Sequence, residues 1–346
     1  MRAIYFTEFK GELSVKEVEK PAVPALGVLI KVEATGLCRS DWHAWMGHDS
    51  DVQLPHVPGH ELAGFVSAIG EGVKKFKVGD RVTVPFVNGC GLCEYCLSGN
   101  AQVCPTQTQP GFTQWGSFAE YVSIESADFN LIALPDQISF STAAALGCRF
   151  ATAFRGIVDR AKVQRGEWVA IFGCGGVGLS SVMIAKALGA KVIAIDINPE
   201  ALAKATSLGA DYSINSSLFD PIKVIHDVTE FGAHVAIDAL GAEQTAQSGV
   251  LSLRRQGRHL QLGLLLNETG MTPMPMARVI GWELEILGSH GMAAVDYPRM
   301  LEMVASGKLQ PQKLVDREVS LVVGANELSL MENSPNAGIT IINPAI

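Results

Sequence analysis

Long runs of Lys or Arg are missing from this sequence, and 27 basic against 35 acidic side chains leave a net charge of −8. Nucleic acids and anionic membrane surfaces both require basic patches, so neither is expected as a partner. Long hydrophobic runs are missing too, and no stretch approaches the roughly 18 uninterrupted apolar residues of a membrane-spanning helix. The opening "MRAIYFTEFKGELSV" lacks the charged start and apolar run of a secretory signal. Internal repeats and low-complexity segments are also absent. These absences lead us to expect a cytoplasmic protein. Cysteine is scarce, with seven in 346 residues, yet four fall inside the stretch "GCGLCEYCLSGNAQVCP".

The length suits two domains, because single cores stop growing at about 250–300 residues. A hydrophobic content of 48% can fill buried cores, and 18% charged residues argues against disorder.

In a reducing compartment, clustered cysteines bind metal or do redox chemistry more often than they form disulfides. Cys90, Cys93, Cys96 and Cys104 follow C-x2-C-x2-C-x7-C. That spacing lets a short segment wrap one ion and present four thiolates tetrahedrally, at roughly 2.3 Å for zinc. Gly89, Gly91 and Gly99 permit the tight turns. Four thiolates leave no open position, so such a zinc would be structural. The rival is an iron–sulfur loop, whose bacterial form is C-x2-C-x2-C-x3-C-P. Here the last gap is seven residues and no second set completes the pattern.

Three cysteines remain: Cys38, Cys148 and Cys174. Cys38, His60 and Cys148 would supply two thiolates and an imidazole, a mixture zinc accepts, and three ligands leave a fourth position for substrate. Singly, each has a plainer reading as a small hydrophobic residue or a hydrogen-bonding histidine. Sequence distance does not say whether Cys148 reaches His60. "GHELAG" lacks the H-E-x-x-H pattern, which excludes a metalloprotease helix.

From about residue 151, short apolar strands alternate with helical patterns, which implies a parallel sheet covered on both faces. "EWVAIFG" leads into Gly173, Gly175 and Gly178, a G-x-G-x-x-G at a strand-to-helix turn, where phosphates meet a helix N-terminus. Asp196 follows eighteen residues after the last glycine. A carboxylate there accepts ribose hydroxyls and repels a 2′-phosphate, and no arginine follows in "DINPEA", so NAD is expected rather than NADP. Cys174, inside the glycine motif, reads as a packing residue.

"CRSDWH", "PHVPGHELAGFV", "VGDRV", the cysteine loop, "LGCRFATAF" and "GCGGVG" occur in one order. In that order the sequence resembles the zinc-dependent alcohol dehydrogenases of the medium-chain dehydrogenase/reductase superfamily, over nearly its whole length. The resemblance implies an α/β fold: a Rossmann doubly wound parallel sheet plus a mainly β, GroES-like catalytic domain carrying a zinc-binding lobe. The domains expected are 1–150, with the lobe at about 88–105, then 151–289, and 290–346 returning to the first domain. It implies two zinc ions per chain, one structural and one catalytic on Cys38, His60 and Cys148, with Glu61 behind the latter and Asp41 orienting a zinc-bound histidine. Ser40 and His43 fit its proton relay. Arg39 is expected on the cofactor pyrophosphate, a contact made more important by the absence of a basic residue near the end of "MENSPNAGITIINPAI". Gly176, Val177, Thr152, Gly263, Leu264 and Ser289, in the "GSHG" run, are expected around the cofactor. Trp42, Trp45, Met46, Phe86 and Trp115 fall in segments that line the alcohol cleft of relatives.

The reaction implied is reversible hydride transfer between a primary or secondary alcohol and NAD, giving an aldehyde or ketone, in a homo-oligomer of two or four chains. Zinc lowers the pKa of bound water from about 15.7 to about 7, roughly 12 kcal/mol, and an alcohol should gain comparably. A polyol or amino-alcohol dehydrogenase of the same superfamily is the near alternative, although many of those carry a carboxylate where Cys148 stands. A zinc-free quinone reductase is disfavoured by the ligand trio. A non-catalytic zinc- and NAD-binding redox sensor is the alternative of another class.

Overall fold

The computed structural model describes residues 1–266, 271–333 and 338–346. The chain divides into two compact units, one built on Met1–Ala151 and most of the described residues after Gly291, the other on Thr152–His290.

The second unit is organised by one six-stranded sheet. Its strand order is Tyr212–Asn215, Lys191–Asp196, Trp168–Phe172, Ala233–Asp238, Leu253–Gln261 and Glu285–Gly288, with every neighbouring pair parallel. Numbered along the chain this is 3-2-1-4-5-6, the doubly wound order of dinucleotide-binding folds. The central strands are apolar along their whole length because both faces are covered: Val169, Ala170, Ile171, Val235, Ala236 and Ile237 are all buried. Helices Gly176–Ala187, Pro199–Ser207, Pro221–Thr229, Glu243–Leu251 and Met276–Trp282 lie in the five crossovers. Two of these begin with proline at the first position behind a side-chain cap, Asn198 accepting from the Glu200 N–H and Asp220 from that of Ile222. At the first strand-to-helix turn, any Cβ on Gly178 would collide with the Gly173 carbonyl, so this approach admits only glycine.

The first unit is dominated by a seven-stranded sheet, mostly antiparallel. Its spine is Val28–Gly36 against Glu61–Ile69, interrupted by two register shifts that bend the pair. The C-terminal strand Ile339–Ile342 joins this sheet beside Gly36 and Thr35, so the end of the chain completes the first unit. Ile30, Val32, Leu62, Val66, Val82, Val122 and Ile124 form one continuous apolar core. This register positions the chemistry. Gly36 pairs with Glu61, so the residues just after one strand and just before the other, Cys38 and His60, emerge at the same end of the sheet.

Candidate active site and metal centres

Cys38 directly precedes the helix Arg39–Trp45, and Cys148 opens the helix Cys148–Arg155. Together with His60 and Glu61 they form a cluster in which one ligand atom from each lies within 4.8 Å of all the others. Cys38, His60 and Glu61 are buried. Gly147 lets this helix approach, since a Cβ there would stand 2.6 Å from Cβ and Cγ of Glu61.

Asp41 organises the cluster from its edge. Its Oδ1 accepts from His60 Nδ1 at 2.8 Å and from the Gly59 N–H at 3.1 Å, while Oδ2 accepts from the Cys38 N–H at 2.9 Å. With Nδ1 committed to Asp41, Nε2 is the ring nitrogen left for a metal ion. That Nε2 is buried and has no hydrogen-bond partner in the protein. An orphaned imidazole nitrogen beside two sulfurs is the donor set a zinc ion satisfies.

The protonation energetics agree. The Cys148 thiol donates to Cys38, which holds Cys38 well below the ordinary thiol range and Cys148 well above it. Burial alone would depress the His60 imidazole, but the Asp41 carboxylate reverses this and holds it well above its usual value. Burial raises Glu61 despite the Arg149 guanidinium beside it. A divalent cation would relieve the crowding of buried donors by displacing their protons.

The four-cysteine lobe converges on one point. A tetrahedron with bonds of roughly 2.3 Å has edges of about 3.8 Å. Sulfurs of Cys90 and Cys96 lie 3.9 Å apart, and those of Cys93 and Cys104 lie 3.7 Å apart. All four thiols are free of disulfides. The N–H groups of Leu92 and Cys93 both donate to Cys90 at 3.4 Å and pull its thiol down to about 6, whereas burial pushes Cys96 up to about 12. This spacing fits a single zinc ion rather than thiolates spread around an iron–sulfur cluster.

The other residues singled out from the sequence take the following places. Ser40 and His43 lie on the helix Arg39–Trp45, and His43 faces His48. The Arg39 guanidinium stacks over Trp42 at 4.3 Å and donates to the Met331 carbonyl at 2.7 Å. Phe86 meets the His60 ring edge-on at 6.0 Å. Trp45 donates to the Gly11 carbonyl, and Trp115 donates to the Pro55 carbonyl while its ring packs on Tyr5. In the second unit, Gly173, Gly175, Gly176, Val177 and Gly178 form the strand-to-helix turn. Asp196 accepts from the Cys174 N–H at 2.6 Å and the Asn198 N–H at 2.8 Å, which fixes its carboxylate at that turn. Ser289 donates to the Thr152 carbonyl at 3.2 Å, Gly263 donates its N–H to Asp238, and Leu264 is exposed. Cys174 is buried and its thiol is pushed up to about 12 by that burial.

Three neighbours of the metal cluster were not foreseen. Arg149 binds Glu61, Phe112 packs edge-on against His60 at 5.3 Å, and the buried Tyr297 hydroxyl has no partner. Burial raises the Tyr297 phenol, with the charges of Cys148 and Glu61 next. Arg149 had a signal in the sequence, a lone cation in the apolar run "ALGCRFATAF".

Residues 25–136 match the family described as alcohol dehydrogenase GroES-like domain, and residues 176–306 match the family described as zinc-binding dehydrogenase. An alcohol dehydrogenase of Geobacillus stearothermophilus is 36% identical over 313 residues, 90% of each chain. A D-arabitol-phosphate dehydrogenase of Enterococcus avium is 33% identical over 322 residues, 89% of this chain and 90% of its own. Among solved structures, alcohol dehydrogenase TADH from Thermus sp. ATN1 matches with a TM-score of 0.91 at 31% identity, covering 99% of both chains. With two convergent donor sets, a doubly wound sheet and relatives aligned along nearly all its length, the chain belongs to the zinc-dependent alcohol dehydrogenase family of the medium-chain dehydrogenase/reductase superfamily.

Proposed function

We propose that the chain catalyses reversible hydride transfer between a primary or secondary alcohol and NAD, with zinc on Cys38, His60 and Cys148 and a second, structural zinc on Cys90, Cys93, Cys96 and Cys104. The observation that carries this reading is the buried His60 Nε2, unpartnered and clustered with the two thiols. When bound, zinc supplies a Lewis acid for the alcohol or carbonyl oxygen and NAD the hydride acceptor.

The chain's own residues do the rest. Asp41 keeps His60 in the ligating tautomer. Phe86 and Phe112 put apolar edges against the His60 ring and keep water from it. Ser40 and His43 take the alcohol proton outward, with His43 as the proton-transfer group. The Gly173–Gly178 turn leaves room for a pyrophosphate at a helix N-terminus, and Asp196 receives the ribose hydroxyls. A 2′-phosphate would meet the Asp196 carboxylate, and this supports NAD over NADP. Arg39 is taken as the pyrophosphate contact. Thr152, Val177, Gly263, Leu264 and Ser289 complete the cofactor surroundings, and Trp45 and Trp115 belong to the substrate side. The same reading takes the protein as a cytoplasmic homo-oligomer of two or four chains, with domains near 1–150, 151–289 and 290–346.

A second reading, polyol oxidation, is favoured by the similarity to D-arabitol-phosphate dehydrogenase. A panel of simple alcohols, sorbitol and threonine, run with NAD and NADP beside a metal count, tests both. Simple alcohols turning over fastest with NAD at two zinc ions per chain supports the first; faster polyol turnover favours the second. Cofactor binding with no turnover on any alcohol or carbonyl would replace both with a redox sensor.

A further inference from the structure

His43 and His48 face each other Nδ1 to Nδ1 at 3.0 Å. In that geometry one nitrogen carries a hydrogen and the other a lone pair, so the two rings share a single proton between them. The sequence builds the contact with a helix stop. The helix Arg39–Trp45 ends at Met46, Gly47 takes φ +76, and the His48 N–H returns to the His43 carbonyl at 3.0 Å. This folds His48 back over a residue five positions earlier. The buried Trp42 indole sets both imidazoles, its ring meeting them edge-on at 5.0 and 5.7 Å.

His43 is half-buried and His48 exposed, so the pair leads from the interior of the first unit to water. Burial, then the charges of His48 and Arg39, push His43 down to about 4, opposed only by Cys38. A ring held that low hands a proton on instead of storing it. The helix packs against Leu321–Leu330 and Met331–Asn333. Of their acids, Glu327 is engaged by Thr340 at 3.0 Å and Arg317 at 2.9 Å, and Glu332 is exposed. On the adjoining turns Glu8, Lys10 and Glu12 are exposed, and Asp49 accepts from the Asp51 N–H.

We propose that His48 is the outer member of a two-histidine proton exit, a positioning and relay residue for His43. During alcohol oxidation His43 gains a proton at Nε2 and releases its Nδ1 proton to Nδ1 of His48, which loses its Nε2 proton to water. One proton enters, one leaves, and no electrons move. In carbonyl reduction the sequence runs backwards. The assignment rests on the hydride-transfer reading above.

The test uses His48→Gln in the enzyme loaded with zinc and NAD. Proton release is followed by a pH indicator beside NADH absorbance in stopped flow, at low buffer and with added imidazole. In the wild type the two signals rise together. In His48→Gln the proton lags NADH, by up to roughly the 100-fold that a positioned proton-transfer group contributes, and free imidazole closes the lag. A side chain that merely finished the helix would lower Tm without any lag that imidazole repairs. As a readout apart from turnover, 15N spectra of the histidine rings in the same complex should show the shared Nδ1 proton in the wild type and its loss in the variant. Proton release that keeps pace with NADH in His48→Gln overturns this proposal alone. A wild type that forms no NADH from any alcohol overturns the hydride-transfer reading and this proposal together.

Discussion

Arg149 holds Glu61 with three donors. Its backbone N–H and Nε reach Oε1 at 3.1 and 3.2 Å, and its Nη2 reaches Oε2. Both residues are buried, and Glu61 belongs to the same cluster as Cys38, His60 and Cys148. The carboxylate of the donor cluster is therefore already paired with a cation, which would restrain it from becoming a fourth ligand to the proposed zinc.

Arg149→Met strands that carboxylate. Breaking a buried pair from one side costs roughly 3–5 kcal/mol, whereas replacing both partners with neutral groups is close to neutral. Urea unfolding of the zinc-loaded protein should show a loss of about this size for Arg149→Met and substantial recovery in Glu61→Gln/Arg149→Met. A double variant less stable than the single one would contradict the pairing. Cobalt substituted for zinc should change its visible spectrum in Arg149→Met, as Glu61 becomes available to the metal.

Asp41→Asn tests the orientation of His60. The buried Asp41 serves His60, Gly59 and Cys38 at once. Losing such a partner typically weakens metal binding by about 10–100-fold. Competition with a chelator should release one zinc per chain at correspondingly lower chelator concentration, with the four-cysteine site unaffected. Equal release of both ions would argue that Asp41 serves only the local fold.

Cys93→Ser addresses the lobe. Cys93 both faces Cys104 at 3.7 Å and accepts from the Cys96 N–H, capping the short helix Glu94–Leu97. The variant should lose one zinc and several degrees of Tm while the other zinc stays. Unchanged Tm and an unchanged metal count would remove the structural role.

Acid stability follows from two buried imidazoles. His56 and His259 both lie below the ordinary value because burial disfavours their charged form. A depressed folded value means the unfolded chain binds the proton first. The stability they confer is thus present above about 6.5 and is lost as pH falls below it. His259 donates to Gln261 at 3.0 Å and has its Nδ1 buried without a partner. A plot of Tm against pH should therefore be shallower below pH 6.5 for His259→Gln than for the wild type. Parallel curves would contradict the assignment.

How much of this could be read from the sequence depended on range. The cysteine lobe and the glycine turn were legible because each is local: the ligands or the tight approach lie within a few residues, and the pattern is the geometry. The parallel sheet covered on both faces was legible from strand and helix alternation, since buried parallel strands read as apolar runs, whereas its strand order was not. The Cys38–His60–Cys148 cluster was not legible from spacing, because it depends on the Gly36–Glu61 register and on the close approach at Gly147. The grip of Arg149 on Glu61 joins residues 88 apart in the chain. Nothing in the sequence marks His48, which the turn at Gly47 places on His43.

The most direct test of zinc-dependent hydride transfer compares Cys148→Ala with the wild type in metal content, NAD binding and alcohol-dependent NADH formation. The variant should keep the lobe zinc and its affinity for NAD, lose the other zinc, and form almost no NADH. A variant that retains two zinc ions and near-normal turnover would contradict zinc-dependent hydride transfer.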